Sequence, residues 1–225
     1  MKKAKYICIE GTEGVGKTTQ CQLLYEYLKS KGYSVLATKE PGTIHAPLTM
    51  VLRGIMLDNQ YDGEMTAPAR EFISQAIRSI HIKNVILPAM PKYDFILQDR
   101  GILSGYAYGE ACGNDMDLLR TLSNTIVDEA DPNSVFFPPS AERIYDKVIY
   151  LRGDVESDLT RALSSKKEFE TGDAMESRGN RFMQRVSYNM DYMTTNFNTL
   201  FINVNGKSIE DVHQEIINAL EIRDI

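Results

Sequence analysis

The stretch IEGTEGVGKTTQ, residues 9–20, decides how the chain is read. Inside it, Gly11-Thr12-Glu13-Gly14-Val15-Gly16-Lys17-Thr18 fits G-x-x-x-x-G-K-[ST]. That pattern carries meaning only after a strand and at the opening of a helix. Both flanks agree. Tyr6-Ile7-Cys8-Ile9 is short, apolar and rich in β-formers. Beyond the motif, Leu23, Leu24, Tyr27 and Leu28 recur at helical spacing, and Lys31-Gly32 supplies a stop. Such glycines let the backbone curl until successive N–H groups converge on phosphate oxygens, and the helix N-terminus adds its dipole. Residues 11–18, with Thr19 behind them, therefore form a candidate phosphate site. Lys17 is expected within this solvent-facing phosphate site, reaching the β and γ phosphates, and the Thr18 hydroxyl is expected to ligate Mg²⁺. A bare Gly-rich turn is the plainer reading, and the Lys-Thr pair argues against it.

Outward from this stretch, strand-like and helical runs alternate. Strands are expected at 6–9, 34–38, 95–97, 147–151 and 200–204. Helices are expected near 46–57, 67–90, 101–110, 115–129, 155–163, 177–196 and 208–222. This alternation predicts an α/β fold, a doubly wound five-stranded parallel sheet, as one domain spanning 1–225. Residues 131–141, with Pro132, Pro138 and Pro139, break the pattern as an insertion. Phe136 and Phe137 within it would need a partner surface. Ligands of parallel sheets sit beyond the carboxyl ends of the strands. There the sequence places the phosphate loop, Lys39-Glu40-Pro41-Gly42-Thr43, Gln98-Asp99-Arg100 and Asn205-Gly206.

Bulk properties exclude some classes. A net charge of −6 speaks against broad nucleic-acid binding. No apolar run approaches the roughly 20 residues of a membrane span. Cys8, Cys21 and Cys112 have neither pairing parity nor metal spacing, which fits a reducing, cytoplasmic setting. His45, His81 and His213 are scattered and are read as structural or surface residues.

The motifs together resemble the thymidylate kinase family of P-loop nucleoside monophosphate kinases, over nearly the whole chain. The loop holds an acidic residue, Glu13; Thr38-Lys39-Glu40-Pro41-Gly42 looks like the family's Thr-Arg-Glu-Pro-Gly; Asp99-Arg100 followed by Ser104 and Tyr108 has the spacing of its Asp-Arg signature. The resemblance implies phosphoryl transfer from ATP to dTMP with Mg²⁺, a homodimer paired through helices such as 67–90, and a mobile lid near 164–176. It implies Lys17 on the donor and Arg100 on the acceptor phosphate, with Thr18 and Asp99 at Mg²⁺. Pro41, Ser104 and Glu13 join the acceptor site, and Asn205 the ATP site. Arg53 sits where relatives place a phosphate-facing arginine, with a solvated helix face as the alternative. Tyr108 would crowd the ribose 2′ position, or else be a half-buried aromatic. Arg78 matches the base-reading arginine. Departures accompany the match. Ser74 stands where relatives stack a Phe on the base; Phe72, two residues back, is read as a core aromatic. Gly101 replaces an aromatic. Asp173-Ala174-Met175-Glu176 lacks the lid arginine, so Arg161 first, then Lys166, Lys167, Arg178 or Arg181, would stand in. Two further readings stay open: a kinase for other deoxynucleoside monophosphates such as 5-modified dUMP, and an inactive nucleotide-binding switch.

Overall fold

The computed structural model describes residues 3–164 and 173–221. The elements run β1 (Lys5–Glu10), α1 (Lys17–Ser30), β2 (Val35–Lys39), α2 (Pro47–Leu57), α3 (Ala67–His81), a π-helical turn (Ile82–Ile86), α4 (Leu87–Ala89) and β3 (Phe95–Asp99). Then follow α5 (Ile102–Ala111), α6 (Met116–Ala130), β4 (Lys147–Arg152), α7 (Val155–Ser164), α8 (Gly179–Met193), β5 (Thr199–Asn203) and α9 (Ile209–Leu220). The five strands pair in the order β2-β3-β1-β4-β5, all parallel.

Why the sheet is wound on both sides is visible in the period-two alternation of its strands. Tyr6, Cys8, Ile96, Val148 and Tyr150 face one core, where Leu103, Leu119, Val186 and Met190 arrive from α5, α6 and α8. Ile7, Ile9, Leu97, Ile149 and Leu151 face the other, covered by Leu24 and Leu28 of α1 and by Val212 and Ile216 of α9. Both faces being buried, the strands read as continuous apolar runs.

Two sequence expectations are corrected here. The single helix over 67–90 is interrupted by the π turn at Ile82–Ile86. Pro88 has no N–H to give the carbonyl one turn earlier, and the widened turn accommodates it. Phe72 is not a core aromatic; it is 56% exposed on α3. The segment 131–141 folds inward. Asp131 accepts backbone hydrogen bonds from Val135, Phe136 and Phe137 at 3.1, 2.7 and 2.8 Å. That turn drives Phe137 to 1% exposure against Tyr6, ring centroids 6.3 Å apart. The surface that covers Phe137 is thus the chain's own core. No helix among the described residues is long and apolar enough to cross a membrane.

Phe137→Ala should leave a cavity under β1 costing about 3–5 kcal/mol, a Tm loss on the order of 10 °C. Val135→Ala, at an exposed position of the same segment, should change Tm little. Thermal melts of the two variants beside wild type measure the difference.

Candidate active site

Register brings the site together. β1 and β3 are neighbours with Ile9 opposite Asp99, and β2 lies on the far side of β3 with Lys39 opposite Asp99. The loops after these strands therefore leave the sheet side by side. In the first loop, Gly11, Gly14 and Gly16 have φ of 150°, 73° and 103°, values that side chains rarely allow. Gly14 also has no room for a Cβ, since the Asp158 backbone carbonyl of α7 occupies that place. Val15 turns its side chain into the core, so its share in the loop is its backbone.

Lys17 lines this open site yet is itself largely buried. It is 5% exposed, and its Nζ donates to the Thr12 carbonyl at 2.6 Å. Burial first, then the nearby Arg100 charge, lower its pKa to about 8. The Thr18 hydroxyl donates to Asp99 Oδ2 at 2.6 Å, while the buried Asp99 Oδ1 has no hydrogen-bond partner among the described residues. A hydroxyl and an unsatisfied carboxylate oxygen, side by side at a phosphate loop, fit the oxygen chemistry of Mg²⁺, which keeps several waters and needs few protein ligands.

Arg100 connects the loops. Its backbone is in the left-handed region at φ 63°, and its N–H donates to the Ile9 carbonyl at 2.9 Å. Its Nη1 donates to the Gly11 carbonyl at 3.0 Å and to Ser104 Oγ at 3.1 Å. Its Nη2 lies 2.6 Å from Glu13 Oε1, and its guanidinium sits 5.4 Å from the Tyr108 ring centroid. Glu13 and other acids hold this guanidinium firmly charged, against burial, which works the other way. Burial pushes the Tyr108 phenol up.

Two cavities open on this cluster. A larger one, about 1780 Å³, is lined by the loop from Glu13 to Thr19, Asp99, Arg161 and Asn205. A smaller one, about 780 Å³, is lined by Pro41, Ser74, Arg78, Ser104 and Tyr108. Glu13, Arg53 and Arg100 line both. Arg53 is therefore no simple solvated face; its Nη1 donates to the Pro41 carbonyl at 2.8 Å. Arg161 extends from α7 to the Gly14 carbonyl at 2.8 Å and lies 3.2 Å from Asp158. Asn205 Oδ1 accepts from the Asp154 N–H at 2.9 Å, holding the loop after β5 at the rim of the larger cavity. Arg78 is 2% exposed and paired from behind by Glu40, 3.1 Å away, whose other oxygen contacts His81 at 3.0 Å. Burial alone would raise the Glu40 pKa, but Arg78 and His81 outweigh it and hold the carboxyl below its usual value.

Some expectations change. Ala174 is fully buried, its N–H bonded to the Leu57 carbonyl at 3.0 Å, so a long cation has no place there. Arg178 is engaged away from the loop, with Asp62 at 2.9 Å and the Phe182 ring 5.4 Å away. Of the expected lid, residues 165–172 lie outside the described residues, Lys166 and Lys167 among them. Sequence reasoning missed Glu10. Fully buried at the end of β1, it accepts from the Gly101 and Ser104 N–H groups at 2.8 and 3.2 Å and from the Ser104 hydroxyl. Burial pushes its carboxyl up, while the Ser104 bonds and Arg100 work against that. It also missed Glu71 and Asn114, polar side chains lining the smaller cavity. An acid directly ahead of the glycine loop was the one available signal.

A phosphate loop, an adjoining Asp-Arg turn and two cavities sharing one wall define a phosphotransferase of the P-loop kind. The thymidylate kinase family profile matches residues 9–145. Proteins named thymidylate kinase align along nearly the whole chain. That of Halothermothrix orenii is 30% identical over 217 residues, 96% of each chain, and that of Finegoldia magna 28% identical over 221 residues, 98% of this chain and 99% of the other. That of Acinetobacter baylyi is 32% identical over 183 residues, 80% of each. The chain belongs to the thymidylate kinase family.

The low pKa of Lys17 has a measurable consequence. A bound phosphate favours the ammonium form, so ATP binding should take up almost no proton at pH 7 and a large fraction of one near pH 9, above the free-state value of about 8. Binding enthalpies in buffers of different ionisation heat report this, and Lys17→Met should abolish the uptake.

Proposed function

We propose that the chain transfers the terminal phosphoryl group of ATP to dTMP, giving ADP and dTDP, with the larger cavity holding ATP and the smaller holding dTMP. The observation that carries the assignment is Arg100, a fixed guanidinium in the wall between the two cavities. Phosphoryl transfer needs two anions brought into line, so its catalysis is positioning and charge stabilisation. The loop amides of residues 11–18 cradle the donor phosphates, and Lys17 follows the moving phosphoryl. Reaching it requires Lys17 to leave the Thr12 carbonyl, an exchange of one oxygen partner for a charged one. Arg100 and Arg53 orient the acceptor phosphate, Ser104 braces Arg100, and Arg161 supplies a further cation over the loop. Thr18 and Asp99 would hold Mg²⁺, which would supply neutralising charge at the donor phosphates. Tyr108, beside Arg100, crowds the sugar and favours deoxyribose; Arg78 donates to the base O4, near Pro41 and Ser74.

Family membership supports ATP-dependent phosphorylation of dTMP. Exposed Leu48, Val51 and Ile55 on α2 and Phe72 on α3 support a homodimer formed through that face. Three free cysteines support a cytoplasmic setting.

An ADP-release assay over dTMP, dUMP, 5-hydroxymethyl-dUMP and dCMP should show turnover highest with dTMP; no turnover of any would sink the reading. Arg100→Lys keeps the charge but loses the planar fork. It should lower kcat/KM for dTMP on the order of a hundredfold while ATP affinity stays within a few fold. Loss of ATP affinity instead would move Arg100 to the donor side.

A further inference from the structure

The base end of the smaller cavity carries a second buried charge besides Arg78. Glu71 lies two helical turns before Arg78 on the same helix, is 4% exposed, and lines the cavity with it. The opposite wall is α5, and it is bare at the two positions that matter. A Cβ on Gly105 would collide with Arg78 Nη2, and one on Gly109 would stand 3.0 Å from Glu71 Oε2. Gly105 and Gly109 are one turn apart, so the guanidinium and the carboxylate rest against spots separated by about 5–6 Å along one wall. The carboxylate is held from behind: Gln75 Nε2 donates to Oε1 at 2.6 Å and also contacts Ser123 Oγ at 3.0 Å. Among the described residues, Oε2 accepts no hydrogen bond. It is an acceptor aimed along the cavity wall with nothing to accept.

Resting on the dTMP reading, we infer that Glu71 is a specificity-determining residue, which accepts the N3–H of the base while Arg78 donates to the neighbouring O4. A guanidinium only donates and a carboxylate only accepts, so the pair reads an acceptor beside a donor. Thymine and uracil present O4 beside N3–H. Cytosine presents its 4-amino group beside an unprotonated N3, which reverses both members. A cytosine in this cavity meets donor against donor and acceptor against acceptor, so the cavity-facing atoms of two buried side chains go unsatisfied at once. The same pair has no use for a methyl at C5, so the selectivity it confers is thymine and uracil against cytosine.

Glu71→Gln tests this at nearly constant size. The carboxamide can still accept from Gln75, but it can turn an N–H₂ toward the base. We expect kcat/KM for dTMP to fall at least tenfold while that for dCMP holds or rises, so that the dTMP-to-dCMP ratio narrows by more than tenfold. Glu71→Leu, which removes all polarity, should lose dTMP turnover without gaining dCMP. Melting curves with and without dTMP show that each variant is folded and report binding independently of turnover. An equal loss for both nucleotides in Glu71→Gln means that Glu71 only braces α3 against α6 through Gln75 and Ser123, and overturns the inference. An unchanged ratio overturns it too. Wild type separates this from the reading beneath it: wild type that turns over dCMP but not dTMP removes the dTMP assignment and the role of Glu71 together, whereas dTMP turnover with an insensitive ratio removes Glu71 alone.

Discussion

The carboxylate of Glu10 is the interaction on which the site depends. It is fully buried at the last position of β1, where an ionised group is expensive unless hydrogen bonds repay its lost hydration. The repayment comes from the turn after β3, through the Gly101 and Ser104 N–H groups and the Ser104 hydroxyl. The residue that begins the phosphate loop follows Glu10 directly, and Arg100 lies directly before Gly101. One carboxylate thus fastens the phosphate loop to the arginine turn. It also explains how Arg100, no glycine, is kept at φ 63°, a conformation that persists only where its surroundings overdetermine it. The Arg100 N–H bonded to the Ile9 carbonyl closes the bracket on the other side.

Much of the fold was legible because its signals are local. The five strands fall within a residue or two of their apolar runs, since both faces of a parallel sheet are buried and the runs end where charge begins. The phosphate loop, Asp99-Arg100 and Lys39-Glu40-Pro41 meet because strand ends converge, and that convergence follows from alternation alone. Ser74 lining the smaller cavity beside Arg78 also follows from local spacing, four residues on one helix.

What stayed hidden depends on partners distant in sequence. The inward fold of 131–141 rests on Tyr6, far along the chain, and on one aspartate capping three amides. Burial of Ala174 is a matter of where α2 ends. Phe72 shows the limit of composition most directly. A phenylalanine on an amphipathic helix is expected inside, yet here the buried residues of α3 include Arg70, Glu71 and Arg78, because those three line a cavity and not a core. Polar residues at core-facing positions are the mark of a ligand space, and a hydrophobicity pattern reads them as solvent.

The tight seat of Gly14 against the Asp158 carbonyl has a mechanical consequence. Loop and helix touch backbone to backbone, with no compressible side chain between them, and Arg161 from the same helix holds the Gly14 carbonyl. A displacement of α7 along its axis is therefore transmitted to the phosphate loop almost without slack. The axial position of α7 and the shape of the phosphate loop are therefore a single degree of freedom. A substitution that tilted α7 would retune both at once, and selection acting on one would find the other moving with it.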